Sequence, residues 1–116
     1  MSVNDAQARD SLRPTLCCAL VEAAATTLRN RAERKGLALR VERPDDDLVL
    51  RVDRRALSQI VLEMIESAID QAAGGEVRVR VARQQREGRR AVEVSVSALN
   101  GEATPADAFR LVIPER

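Results

Sequence analysis

Residues 53–70 read DRRALSQIVLEMIESAID, and the spacing of their apolar side chains decides the fold. Turned by 100° per residue, Leu57, Ile60, Val61, Met64, Ile65, Ala68 and Ile69 fall within an arc of roughly 180°, which predicts a helix with a wide core-facing stripe. Asp53 stands where an N-cap belongs, and Gly74-Gly75 terminates the segment. Glu63 and Ser67 lie one turn apart on the flank of the stripe, a carboxylate beside a hydroxyl.

Toward the N-terminus, LVLRV (48–52) reads as a short extended segment, RPDDD (43–47) as a polar loop, and LALRVE (37–42) as a half-buried strand with Leu37, Leu39 and Val41 on one face. Leu12, Leu16, Leu20, Ala23 and Leu28 recur at helical spacing, which predicts a first helix capped by Asp10 or Ser11, with Pro14 in its first turn and Lys35-Gly36 at its end. Toward the C-terminus the period changes to two. VRVRVA (77–82) and AVEVSVS (91–97) form an expected antiparallel hairpin around an exposed RQQREGRR loop (83–90). A turn is expected at Asn100-Gly101, and FRLVIP (109–114) alternates again. The order implies an α+β two-layer sandwich, two main helices on a mixed sheet of about five strands. Residues 1–10 read as a polar tail and residues 11–116 as a single domain.

Composition removes several functions. Nineteen basic against eighteen acidic residues leave a net charge of +1 over 116 residues, so no overall field draws the chain to nucleic acid or an anionic membrane. No window approaches the roughly 18 apolar residues of a membrane span, and the N-terminus lacks a signal-peptide layout, so a cytoplasmic location is expected. The chain has no His, Trp or Tyr, and Phe109 is its only aromatic. It therefore carries no imidazole base, metal ligand or phosphohistidine, and no platform for stacked bases. Cys17 and Cys18 point about 100° apart on a helix and read as two small buried thiols rather than a redox pair.

The segment from Lys35 to Val81 resembles the catalytic ATP-binding domain of sensor histidine kinases, the Bergerat (GHKL) fold, and the likeness extends from Ser11 to about Ser97. Most specific is the lead-in D-x-x-x-L-x-Q-hydrophobic-hydrophobic-L, supplied by Asp53, Leu57, Gln59, Ile60, Val61 and Leu62. In that register the family places a general base and, four residues later, a magnesium-coordinating Asn. Here those places hold Glu63 and Ser67. Glu66 and Asp70 would add negative charge near the phosphates. After its hairpin strand the family has Asp-x-Gly-x-Gly, the Asp reading the adenine amino group. This chain has Ala98, Leu99, Asn100, Gly101 and Glu102, so the acceptor is lost and the glycine places, Asn100 and Glu102, carry side chains. The family then continues into a lid, a second glycine box and a third helix. Only ATPADA (103–108) stands before FRLVIP, too little for these parts. The helical domain that bears the phospho-accepting His is also expected to be missing.

These residues imply a pseudo-ATPase with no catalytic residue, cofactor or metal. The positions Glu63, Ser67, Ala98, Asn100 and Glu102 are read as vestigial. The favoured function is a protein-interaction module in two-component signalling, with a receiver or kinase helical domain as partner. A part of a histidine phosphotransferase whose His lies elsewhere, and a residual nucleotide sensor, stay open as alternatives. Two surfaces are marked for a partner: a basic edge with Arg78 and Arg80, and an apolar sheet face with Phe109, Leu111 and Ile113. If a missing helix leaves that face exposed, a homodimer follows.

Overall fold

The computed structural model describes residues 12–99 and 106–115. Its elements in chain order are β1 (Leu12–Leu16), α1 (Cys17–Arg34), β2 (Leu37–Glu42), β3 (Val49–Asp53), α2 (Arg54–Gln71), β4 (Gly75–Arg86), β5 (Arg89–Leu99) and β6 (Ala106–Pro114). Four strands form a mixed sheet in the order β2-β4-β5-β6, with β2 parallel to β4 and the other pairs antiparallel. A separate antiparallel ribbon joins β1 to β3. Both helices pack on one face of the sheet, which gives the expected α+β sandwich with a sheet of four strands plus the ribbon.

The core lies between the layers. Val21 of α1, Val61, Ile65 and Ile69 of α2, Val77 and Val79 of β4, and Val92, Val94 and Val96 of β5 are fully buried. The α2 stripe is narrower than its periodicity suggests. Ile60, at the edge of the arc, is 42% exposed and lies on the same flank as Glu63 and Ser67. The Asp53 cap is present, its Oδ1 accepting the Ala56 N–H at 3.2 Å. At the other end of α2, Lys35 Nζ donates to the carbonyls of Ile69, Asp70 and Ala72 at 2.7, 2.8 and 2.9 Å. A cation thus neutralises the negative end of the helix.

The first helix begins later than its periodicity predicts. Residues 12–16 are strand β1, paired antiparallel with Val49–Asp53. Leu16 and Ala23 are exposed rather than core. The expected caps Asp10 and Ser11 lie outside the described residues. Leu16 occupies the N-cap position with no side-chain bond, and Asp47 does the capping from another loop. Its Oδ1 accepts the N–H groups of Cys18 and Leu48 at 2.7 Å each, and its Oδ2 that of Ala19 at 3.1 Å.

Two further expectations change. The RQQREGRR stretch is not a loop: β4 runs to Arg86 and β5 starts at Arg89, joined by Glu87 and Gly88 at φ 52° and 76°. Two successive left-handed residues are what a tight hairpin turn needs. Nor do Phe109, Leu111 and Ile113 form an exposed apolar face. They are half-buried against the core, and their β5 neighbours Val92, Val94 and Val96 are covered completely.

Candidate functional site

Glu63 and Ser67 project from one flank of α2, whose position is set by the Asp53 cap, the Lys35 anchor and the buried stripe. Glu63 is exposed and its Oε1 accepts from Gln59 Nε2 at 3.1 Å, an i, i+4 contact along the same helix. Ser67 is half-buried. Glu66 and Asp70 do not face this flank's solvent alone: Arg31 of α1 reaches Asp70 at 2.9 Å and Glu66 at 3.8 Å. The negative charge expected near a phosphate is therefore tied to the neighbouring helix.

Ala98 lies near the end of β5, opposite Val77 of β4 and Ala106 of β6, and packs against the core. Asn100 and Glu102 lie outside the described residues. β5 and β6 are adjacent antiparallel strands with six residues of sequence between them. Four surface concavities among the described residues are lined by side chains other than Glu63, Ser67 and Ala98. Among the described residues no group of three or more Cys, Asp or Glu side chains is placed to hold a metal ion. What remains here is a carboxylate and a hydroxyl on a helix flank. No imidazole stands beside them, because the chain has no His.

Arg78 and Arg80 are on β4 as expected, but they differ. Arg78 is enclosed by acids, with Nη2 3.1 Å from Glu76 Oε2 and Nε 3.4 Å from Glu42 Oε1. Arg80 is exposed and has no ion pair among the described residues. The two cysteines are free and fully buried. Burial, then the neighbouring Cys18 and Asp47, push the Cys17 thiol up to about 12, and burial followed by contact with Asp47 raises Cys18. Neither is a ready nucleophile.

The architecture has close counterparts among solved structures. The catalytic domain of histidine kinase ThkA aligns with 78% of this chain at 16% identity and a TM-score of 0.57, and full-length ShkA in complex with AMPPNP aligns with 76% at 24% identity and 0.64. The cytoplasmic segment of histidine kinase QseC aligns with 72% at 13% identity and 0.60. The fold is that of a histidine-kinase catalytic domain. The aligned part spans 62% of the ThkA chain, 18% of ShkA and 52% of QseC, so this chain covers less than two thirds of each. No family model and no curated protein matches the sequence. No helix among the described residues is long and apolar enough to cross a membrane.

Proposed function

We propose that this histidine-kinase-type domain no longer binds ATP and works by binding another protein, in the setting of two-component signalling. Ala98 carries the reading. It stands in the register of the acid that reads adenine, and a methyl group cannot accept the adenine amino hydrogen. Two observations support it. Ser67 replaces the magnesium-coordinating Asn and offers a shorter, neutral hydroxyl. Only six residues separate Leu99 of β5 from Ala106 of its neighbour β6, too few for a lid. Glu63 by itself is a base with no held substrate.

Titration calorimetry with ATP and magnesium tests this. No heat of binding is expected at millimolar nucleotide. A dissociation constant below about 100 μM, roughly 5.5 kcal/mol, would overturn the proposal.

A further inference from the structure

The parallel pair β2-β4 stops before β4 does. Its last register is Glu42 opposite Arg80, yet β4 runs on through Val81–Arg86. Pro44 explains the stop, since it lacks the N–H a further ladder bond needs. Arg43 then holds the chain turned away, with Nε donating to the Pro44 carbonyl at 3.0 Å and Nη1 to Glu22 at 3.3 Å. Six residues of β4, roughly 20 Å of strand, are thus paired on the β5 side only among the described residues. The outer edge of β2 differs, because Arg29 Nη2 reaches the Leu39 carbonyl at 3.4 Å.

The open stretch is basic. Arg43, Arg80 and Arg83 line a concavity of about 350 Å³ at the point where β2 leaves, with Glu42 the only acid there. From Arg78 to Arg90 the sequence holds six arginines against one acid, Glu87. Arg83 is paired to Glu115 at 3.2 Å and Glu42 to Arg78, while the exposed Arg80 has no ion pair among the described residues. Val81–Arg86 contains two arginines and no acid. Pairing two copies antiparallel along it would set like charges across one ribbon, which is destabilising. An extended acidic strand meets complementary charge and the unpaired backbone together.

We propose that Val81–Arg86 is a docking edge that accepts an acidic, extended segment of a partner protein as an added strand. The inference rests on the reading of the chain as a protein-binding module and names the surface and chemistry of that binding. The probe is the peptide Ac-TEVEVET-NH2, titrated into the isotopically labelled full chain at low salt. Expected are a dissociation constant below about 300 μM, amide shift changes concentrated at residues 81–86, and loss of binding when Glu in the peptide is exchanged for Lys. Peptides N-methylated at alternate amides, made in both frames, separate strand pairing from charge alone: one frame must bind at least tenfold more weakly. Arg80→Glu, at an exposed position, is expected to weaken binding at least fivefold with an unchanged circular dichroism spectrum. No binding, equal binding by both N-methylated peptides, shifts confined to another surface, or preference for a single-stranded oligonucleotide would each overturn the proposal. The ATP titration is read separately, so failure of the docking edge and failure of the pseudo-ATPase reading are distinguishable.

Discussion

A methyl group at position 98 and a hydroxyl at position 67 are the smallest changes that separate this chain from the nucleotide-binding pattern it resembles, and each can be reverted alone. An Asp at 98 would restore one charged hydrogen bond and an Asn at 67 one metal ligand, each contributing about 2 kcal/mol. Together that is close to the ~4 kcal/mol of millimolar affinity. Turnover needs more. The γ-phosphate must be gripped and shielded, and only six residues of sequence separate strands β5 and β6. Ser67→Asn with Ala98→Asp is therefore expected to gain at most weak nucleotide binding and no ATP hydrolysis above background in a phosphate-release assay. Hydrolysis by the double variant would show that the phosphate grip is supplied elsewhere in the chain.

The two helices show what an element needs from its sequence and what it takes from the rest of the fold. In α2 everything is local: Asp53 caps Ala56 three residues on, and the apolar stripe names its own buried face. That helix, and the shared flank of Glu63 and Ser67, could be read directly from residue spacing. The start of α1 could not, because its cap comes from Asp47, twenty-nine residues away, and leucine spacing alone fits strand β1 as well as a helical turn. The basic edge with Arg78 and Arg80 could be read as well, but not the continuation of its strand to Arg86, for a related reason. RQQR has no apolar alternation, and its strand character comes from pairing with residues 89–92 across the Glu87-Gly88 turn. Asp47 also gives α1 a pH dependence. Burial raises its pKa, but the backbone N–H groups of Cys18, Leu48 and Ala19 outweigh burial and hold it below the ordinary aspartate value. A lowered folded pKa means stability that is complete above the unfolded value and lost as pH falls through the folded one. Asp47→Asn is expected to be less stable by about 0.5–1 kcal/mol at pH 7, the size of a charge at a helix N-terminus. The gap to the native chain is expected to narrow in denaturant melts at a second, acid pH below the ordinary aspartate range. A gap of the same size at both pH values would show that the charge at Asp47 does not stabilise α1.

At the scale of the whole molecule, two helices suffice to cover the sheet. The sheet has four strands, and α2 lies over β5 with Phe109, Leu111 and Ile113 of β6 tucked half-buried along its margin. Among the described residues the large apolar side chains left exposed are Leu16 and Val49, facing each other across the ribbon, together with Ile60 and Val112 on other elements. Scattered residues of this kind are ordinary on monomers, in contrast to one contiguous patch. The arginines along the open edge of β4 add repulsion between copies. Self-association through the β6 face, expected from the alternation of FRLVIP, therefore loses its basis. The described chain is expected to sediment as a monomer at micromolar concentration. Phe109→Glu then acts on folding rather than assembly: it removes a half-buried ring and places a charge at the core margin, at a cost of about 2 kcal/mol. For a chain of this size that lowers the melting temperature by roughly 8–12 °C. Equilibrium sedimentation and thermal melts of both proteins decide the matter. A dimer that Phe109→Glu dissociates without loss of thermal stability would restore the exposed face and refute the packing described for β6.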